Sequence, residues 1–205
     1  MNLEQKTNAL KQIKDEILNL ESSPLYEYRI NNNYFPVIGQ GNYNTKLMFV
    51  GEAPGENEAK TAIPFCGASG RVLDELFASI GLVREDVYIT NIVKDRPPKN
   101  RDPKPEEIEL YAPFLDRQIA IIKPEVIITL GRFSMEYLMK RYGLSDKIQP
   151  ISKIHGSLFQ TNLGNELFDN FNPKILPLYH PASCLYNPPL KSTLIKDIQT
   201  VKQFL

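Results

Sequence analysis

The chain has 205 residues, 42% of them hydrophobic, with 24 basic and 24 acidic side chains and a formal charge of zero. That length suits a single domain with a substantial core, expected to span residues 1–205. No apolar run approaches the length needed to span a bilayer, and the first residues lack a signal-peptide core, so the expectation is a cytoplasmic, monomeric protein with no membrane partner.

In chain order, Leu3, Leu10, Ile13, Ile17 and Leu20 mark an amphipathic helix. Residues 22–45, rich in Asn, Tyr, Gly and Pro, read as a long loop. Lys46 to Glu52 is predicted as a buried parallel strand that runs into the turn Gly51-Glu52-Ala53-Pro54-Gly55. This turn lacks both the Gly-Lys-Ser/Thr of a phosphate loop and the glycine spacing of a dinucleotide site. Residues 54–70 read as loop, with Ser69 as the cap of a helix carrying Val72, Leu73, Leu76, Phe77 and Ile80 and ended by Gly81.

Val87 to Val93 is predicted as the second strand, and 95–105 as a proline-punctuated loop. Lys94, Arg96, Lys99, Arg101 and Lys104 crowd that region. They form a basic patch able to attract phosphate despite the zero net charge, or else a plain solvated loop. A helix with Ile108, Tyr111, Leu115, Ile119 and Ile122 ends before Pro124. Val126 to Leu130 is the third strand, and a helix covers 132–142. Residues 143–174 read as irregular, with short strands near Ile154 and Leu167. Ile175 to Tyr179 is the fourth strand, and Leu190, Leu194, Ile198, Val201 and Leu205 mark the last helix. Alternating strands and helices imply an α/β fold, a three-layer αβα sandwich around a four-stranded parallel sheet. Glu52, Asn91 and His180 then fall at or near strand carboxyl ends, where such sheets build their sites.

Four stretches in this order carry a resemblance: Gly51 to Gly55, Pro64-Phe65-Cys66-Gly67-Ala68-Ser69-Gly70, Val87 to Pro103, and Leu176-Pro177-Leu178-Tyr179-His180-Pro181-Ala182-Ser183. Together they resemble the uracil-DNA glycosylase superfamily, most of all its family 4 branch, whose members usually hold an iron–sulfur cluster. The resemblance covers nearly all of Lys46 to Leu205. It implies a monofunctional base-excision-repair enzyme that hydrolyses the N-glycosidic bond of uracil flipped out of DNA.

The resemblance also implies roles. His180 would donate a hydrogen bond to uracil O2 as charge builds there, and Glu52 would stabilise the sugar cation or orient water. Asn91 would read O4 and N3–H, Phe65 would stack on the base, and Ala53 and Gly55 would complete the uracil pocket. Arg96 and Arg101 would hold the DNA backbone, and Pro181, Ala182 and Ser183 would contact phosphates. Leu185, with Cys184 beside it, would wedge into the gap left by the base. Plainer readings stand beside these: a strand-end histidine, a turn asparagine, and core packing for Phe65 and Leu185. Glu58, where family 4 often has Glu-Asp, is a second candidate carboxylate whose favoured reading is a solvated loop acid, and His155 is given no role.

Three positions bear on how far the resemblance carries. Ala53 stands where the better-known uracil glycosylases carry an aspartate, as is common in family 4. The loop of residues 94–105 has no histidine of the kind a related branch uses to capture DNA covalently. The cluster cysteines are expected near Ser22 or Ser23, at Asp95 and at Tyr111, and none is present; Cys66 and Cys184 lie elsewhere. Two thiols cannot supply four thiolates, so no cofactor and no metal are expected, and Tyr111 packing on Leu25 or Tyr26 would do the cluster's structural work. The alternatives are a DNA-binding homologue without catalysis and a glycosylase for deaminated purines.

Overall fold

A computed structural model describes residues 1–161 and 171–205. It has an α/β fold in which helices flank a six-stranded, mostly parallel sheet. The strands are β1 (Gln40–Gly41), β2 (Leu47–Gly51), β3 (Tyr88–Asn91), β4 (Val126–Leu130), β5 (Phe159–Gln160) and β6 (Lys174–Leu178). Their order is β1-β3-β2-β4-β6-β5. The four expected strands are the parallel centre, β3-β2-β4-β6. The expectation of a four-stranded sheet is corrected by β1 and β5, two-residue antiparallel strands that close the edges. Strands this short carry no period-2 signal, so nothing in the sequence marked them.

Successive side chains of a strand point to opposite faces, and the core divides accordingly. Leu47, Phe49, Ile128 and Leu176 pack with Leu73, Leu76 and Phe77 of α4 (Ala68–Ile80) and with Leu194 and Ile198 of α9 (Leu190–Ile198). Met48, Val50, Ile127 and Ile175 face the other way, against Leu115 and Ile119 of α5 (Pro105–Ile122) and Met135 and Leu138 of α6 (Arg132–Arg141). A third cluster seats Leu10, Ile13 and Ile17 of α1 (Leu3–Leu18) on Leu25, Val93 and Tyr111. Asn2 and Gln5 form a reciprocal capping box at the start of α1.

Several local expectations change. The long loop 22–45 contains α2 (Tyr26–Asn31) as well as β1, and the loop 54–70 contains α3 (Glu56–Thr61). Gly67, not Ser69, occupies the N-cap of α4, with no side-chain bond there, whereas Gly81 ends it in the left-handed conformation as expected. Ile154 ends a helical turn, α7 (Ile151–Ile154), instead of lying in a strand, and the strand expected near Leu167 lies outside the described residues. Among the described residues, no helix is long and apolar enough to cross a membrane.

Candidate active site

The carboxyl ends of the parallel strands converge on one cleft of about 320 Å³. Gly51 at the end of β2 lies in register with Asn91 at the end of β3, which brings Glu52 and Asn91 side by side. His180 follows β6 two residues beyond Leu178. Glu52, Ala53, Gly55, Phe65, Asn91 and His180 all line the cleft, with Ala182 and Arg101 at its rim. The remaining members of the predicted set, Arg96, Pro181, Ser183 and Leu185, do not line it.

Close approach at the floor depends on Gly51. A Cβ there would stand 2.3 Å from Asn91 Oδ1 and 2.6 Å from Phe65 Cζ, so only a glycine lets both side chains reach the same point. Phe65 has a φ of 52°, a left-handed value that is costly for an aromatic residue. Arg84 holds that conformation: its guanidinium donates to the carbonyl oxygens of Pro64 and Phe65. The Phe65 ring lies nearly parallel to His180, with centroids 5.7 Å apart and 30° between planes.

Each polar group is held in a particular state. His180 Nδ1 accepts the backbone N–H of Ala182 at 3.1 Å, so a neutral ring carries its proton on Nε2. Burial lowers the imidazole pKa to about 4, against a smaller opposing pull from Glu58, and keeps it neutral. Burial and the charge of Asp102 push Glu52 up to about 7, with Arg132 opposing them. Asn91 Oδ1 is buried and has no hydrogen-bond partner. An orphaned acceptor of this kind costs about 1–3 kcal/mol unless a ligand satisfies it.

Two lining residues, Glu58 and Tyr186, and one that braces the Phe65 loop from outside the cleft, Arg84, were left out of the expected site. Glu58, taken for a solvated acid, is buried and accepts the Gly67 N–H at 2.9 Å, tying α3 to the Phe65 loop. Arg84 gave no signal, since a lone arginine after a helix has many uses. Tyr186, at the end of α8 (Ser183–Tyr186), lines the mouth of the cleft, where Leu185 was expected to act.

The expected basic patch is divided: Lys94 and Arg96 are buried, Arg101 is half-buried, and Lys99 and Lys104 lie on the surface. Lys94 is fully buried and donates to Thr90 Oγ1, the Asn91 carbonyl and Gln118 Oε1. Arg96 is buried among Tyr34, Asn100 and Glu56. Arg101 is bound by both oxygens of Glu107.

The sequence model described as the uracil DNA glycosylase superfamily matches residues 38–200. The chain belongs to this superfamily. A type-4 uracil-DNA glycosylase of Saccharolobus solfataricus is 44% identical over 196 residues, which cover 94% of this chain and 85% of that protein. The type-4 enzyme of Sulfurisphaera tokodaii is 40% identical over 197 residues, covering 96% and 84%. That of Archaeoglobus fulgidus is 39% identical over 193 residues, covering 94% and 92%.

An iron–sulfur cluster does not fit this member of the superfamily. Where the resemblance places cysteines, Ser23, Asp95 and Tyr111 are bonded to one another. Tyr111 Oη donates to Asp95 Oδ2 at 2.6 Å and lies 2.8 Å from Ser23 Oγ. Arg29 of α2 completes the group, 3.1 and 3.0 Å from the two Asp95 oxygens, and also donates to the carbonyls of Ile17 and Leu18. Tyr111 and Leu25 also belong to the same buried apolar cluster. Among the described residues, no group of three or more His, Cys, Asp or Glu side chains could hold a metal.

Proposed function

We propose that this protein is a monofunctional uracil-DNA glycosylase, a cytoplasmic monomer of one domain that acts without a cofactor on uracil-containing DNA. The observation that carries the reading is the buried, unpartnered Asn91 Oδ1 at the floor of a cleft beside Phe65 and His180. Uracil presents N3–H and O4 on one edge. Asn91 Oδ1 accepts from N3–H, and its amide NH₂ donates to O4. Cytosine offers an amino group and a bare N3 at the same places and leaves both amide atoms mismatched, which a buried site penalises strongly.

With the base seated on Phe65, the N1–C1′ bond breaks and its electron pair leaves on uracil. The charge spreads to O2, where the Nε2–H of neutral His180 stabilises it; this donor strengthens as the bond opens and transfers no full proton. Water adds to C1′ on the opposite side of the sugar. Glu52, ionised above its pKa of about 7, stabilises the sugar cation and takes up the water's proton. The products are the uracil anion, which takes a proton from solvent on release, and an abasic sugar, and Glu52 returns its proton to solvent. Arg101 and the backbone of Pro181 to Ser183 flank the nucleotide's phosphates, and Arg96 supports the loop that carries Arg101 through its bond to Asn100.

The test is a strand-cleavage gel assay with oligonucleotides carrying a single uracil, hypoxanthine or xanthine. Excision of uracil alone is expected. Excision of a purine alone transfers the reading to deaminated purines, and binding without excision makes the protein a non-catalytic DNA binder.

A further inference from the structure

We propose that Tyr186 is a stacking platform for the nucleobase next to the excised uracil on the same strand. The inference rests on the glycosylase reading and adds a second base-binding position outside the uracil pocket. Tyr186 is 89% exposed, more than any other large hydrophobic side chain among the described residues. Its place is nevertheless fixed. The turn after His180 is wound by bonds from Ser183 N to His180 O, Cys184 N to Pro181 O and Leu185 N to Ala182 O. Cys184 is buried in the core cluster shared with α4 and α9, which sets the rotation of the helical turn.

In a helix, residues two apart point about 200° away from one another, and residues four apart share a face. With Cys184 turned inward, Tyr186 is turned outward, on the face of Ala182. Those two residues line the cleft's mouth together with His180, whereas Leu185 does not. Asn187-Pro188-Pro189 follows at once and limits the freedom of the turn. The ring is therefore held beside the place where the strand enters and leaves the uracil pocket.

An aromatic ring fully open to water at that position has the flat apolar face and polar tip that suit an unstacked base. Flipping uracil out removes one stacking partner from each adjacent base, and a tyrosine face replaces it without regard to sequence. Lys94 and Arg96 of the neighbouring loop are buried, which leaves Lys99, Arg101 and Lys104 to meet phosphates, and stacking by Tyr186 adds to their hold on the strand.

The test uses wild type, Tyr186→Phe and Tyr186→Ala with three single-stranded uracil oligonucleotides: one complete, one with an abasic spacer 5′ of the uracil, and one with the spacer 3′. Affinity is read by fluorescence anisotropy and excision by single-turnover assay. On the complete strand, Tyr186→Ala is expected to weaken binding about 10-fold, the scale of one base–aromatic stack. Tyr186→Phe keeps wild-type affinity, and thermal unfolding is unchanged in both. On one of the two spacer strands, wild type and Tyr186→Ala should bind alike, because the stacking partner is already gone. Equal affinity of wild type and Tyr186→Ala on the complete strand overturns the proposal, and so does an undiminished loss on both spacer strands. Failure of wild type to excise uracil would sink the glycosylase reading instead, while the affinity comparison still decides the role of the ring.

Discussion

The segment from Asn91 to Asp95 has two ends with opposite character. At Asp95 a buried carboxylate meets Arg29 and Tyr111, and the hydroxyl of Tyr111 lies 2.8 Å from that of Ser23. At Asn91, just beyond the fully buried Val93 and Ile92, a carbonyl oxygen is equally buried and meets nothing. The first end joins α1, α2, the loop after β3 and α5 into one unit; the second keeps a polar group in waiting. A fully satisfied network fixes a structure, and an unsatisfied one holds interaction energy for a ligand. Lys94 lies between the two and bonds the backbone carbonyl of Asn91, which helps to fix the strand end that carries the waiting side chain.

The largest expected effect breaks the waiting end. Asn91→Asp places a carboxylate oxygen against O4, acceptor facing acceptor. Single-turnover excision of uracil should fall by about 10²–10⁴-fold, the scale for losing a positioned bond in a site built to recognise it. An unchanged rate would remove Asn91 from the pocket.

Breaking the fixed end should instead cost stability. Asp95→Ala leaves the Arg29 guanidinium buried without its carboxylate. Removing one partner of a buried pair costs about 3–5 kcal/mol, which corresponds to a fall of roughly 6–20 °C in the melting midpoint. The check is thermal unfolding in the presence and absence of a chelator. A midpoint shift of under about 2 °C would show that the network contributes little.

His180 distinguishes the two ends within one residue, because it could serve either as catalyst or as strut for the turn. If its Nε2–H stabilises the departing base, His180→Ala should cut single-turnover excision by about 10²–10³-fold while DNA affinity changes little. A strut would lower melting temperature and affinity together, since the turn from Pro181 to Tyr186 would lose its position. A rate loss no larger than the affinity loss would sink the catalytic role. Gly131 gives an independent view of the same ring. It has a φ of 97°, and a Cβ there would stand 3.1 Å from that of His180, so strand β4 also helps to place the imidazole.

The sequence marked the parallel centre of the sheet because each of its strands is a short apolar run bounded by turn residues. It marked the pocket because Glu52, Asn91 and His180 follow those runs. What it hid has one physical cause: several elements bury polar residues. The buried residue of α2 is Arg29, and those of α3 are Glu58 and Ala59, so neither helix shows an apolar period. Lys94, Asp95 and Arg96 read as surface for the same reason. Their burial is made possible by partners distant in sequence; Arg29 is 66 residues from Asp95, and no local pattern pairs them.

Glu52 gives the smallest effect and the one with the sharpest sign. Its pKa of about 7 in the folded protein exceeds that of an unfolded glutamate, about 4.3, because burial and Asp102 disfavour the charge. Between those two values the folded state binds more protons than the unfolded state. The stabilisation by protonated Glu52 is therefore fully present below about pH 4 and is lost as pH rises through 7. Catalysis has the opposite sign, since the carboxylate is the form that takes the water's proton. Excision should thus rise with pH to a plateau above about 7. His180, with its pKa near 4, adds no limb in that range. Glu52→Gln should remove the rise and lower the plateau rate. It should also raise the melting midpoint at pH 8 by roughly 2–4 °C for each kcal/mol of charge burial relieved, and raise it less at pH 5. A pH profile that keeps its rise in the glutamine variant would assign the titration to another group. A variant no more stable than wild type at pH 8 would show that the carboxylate is not held at a cost.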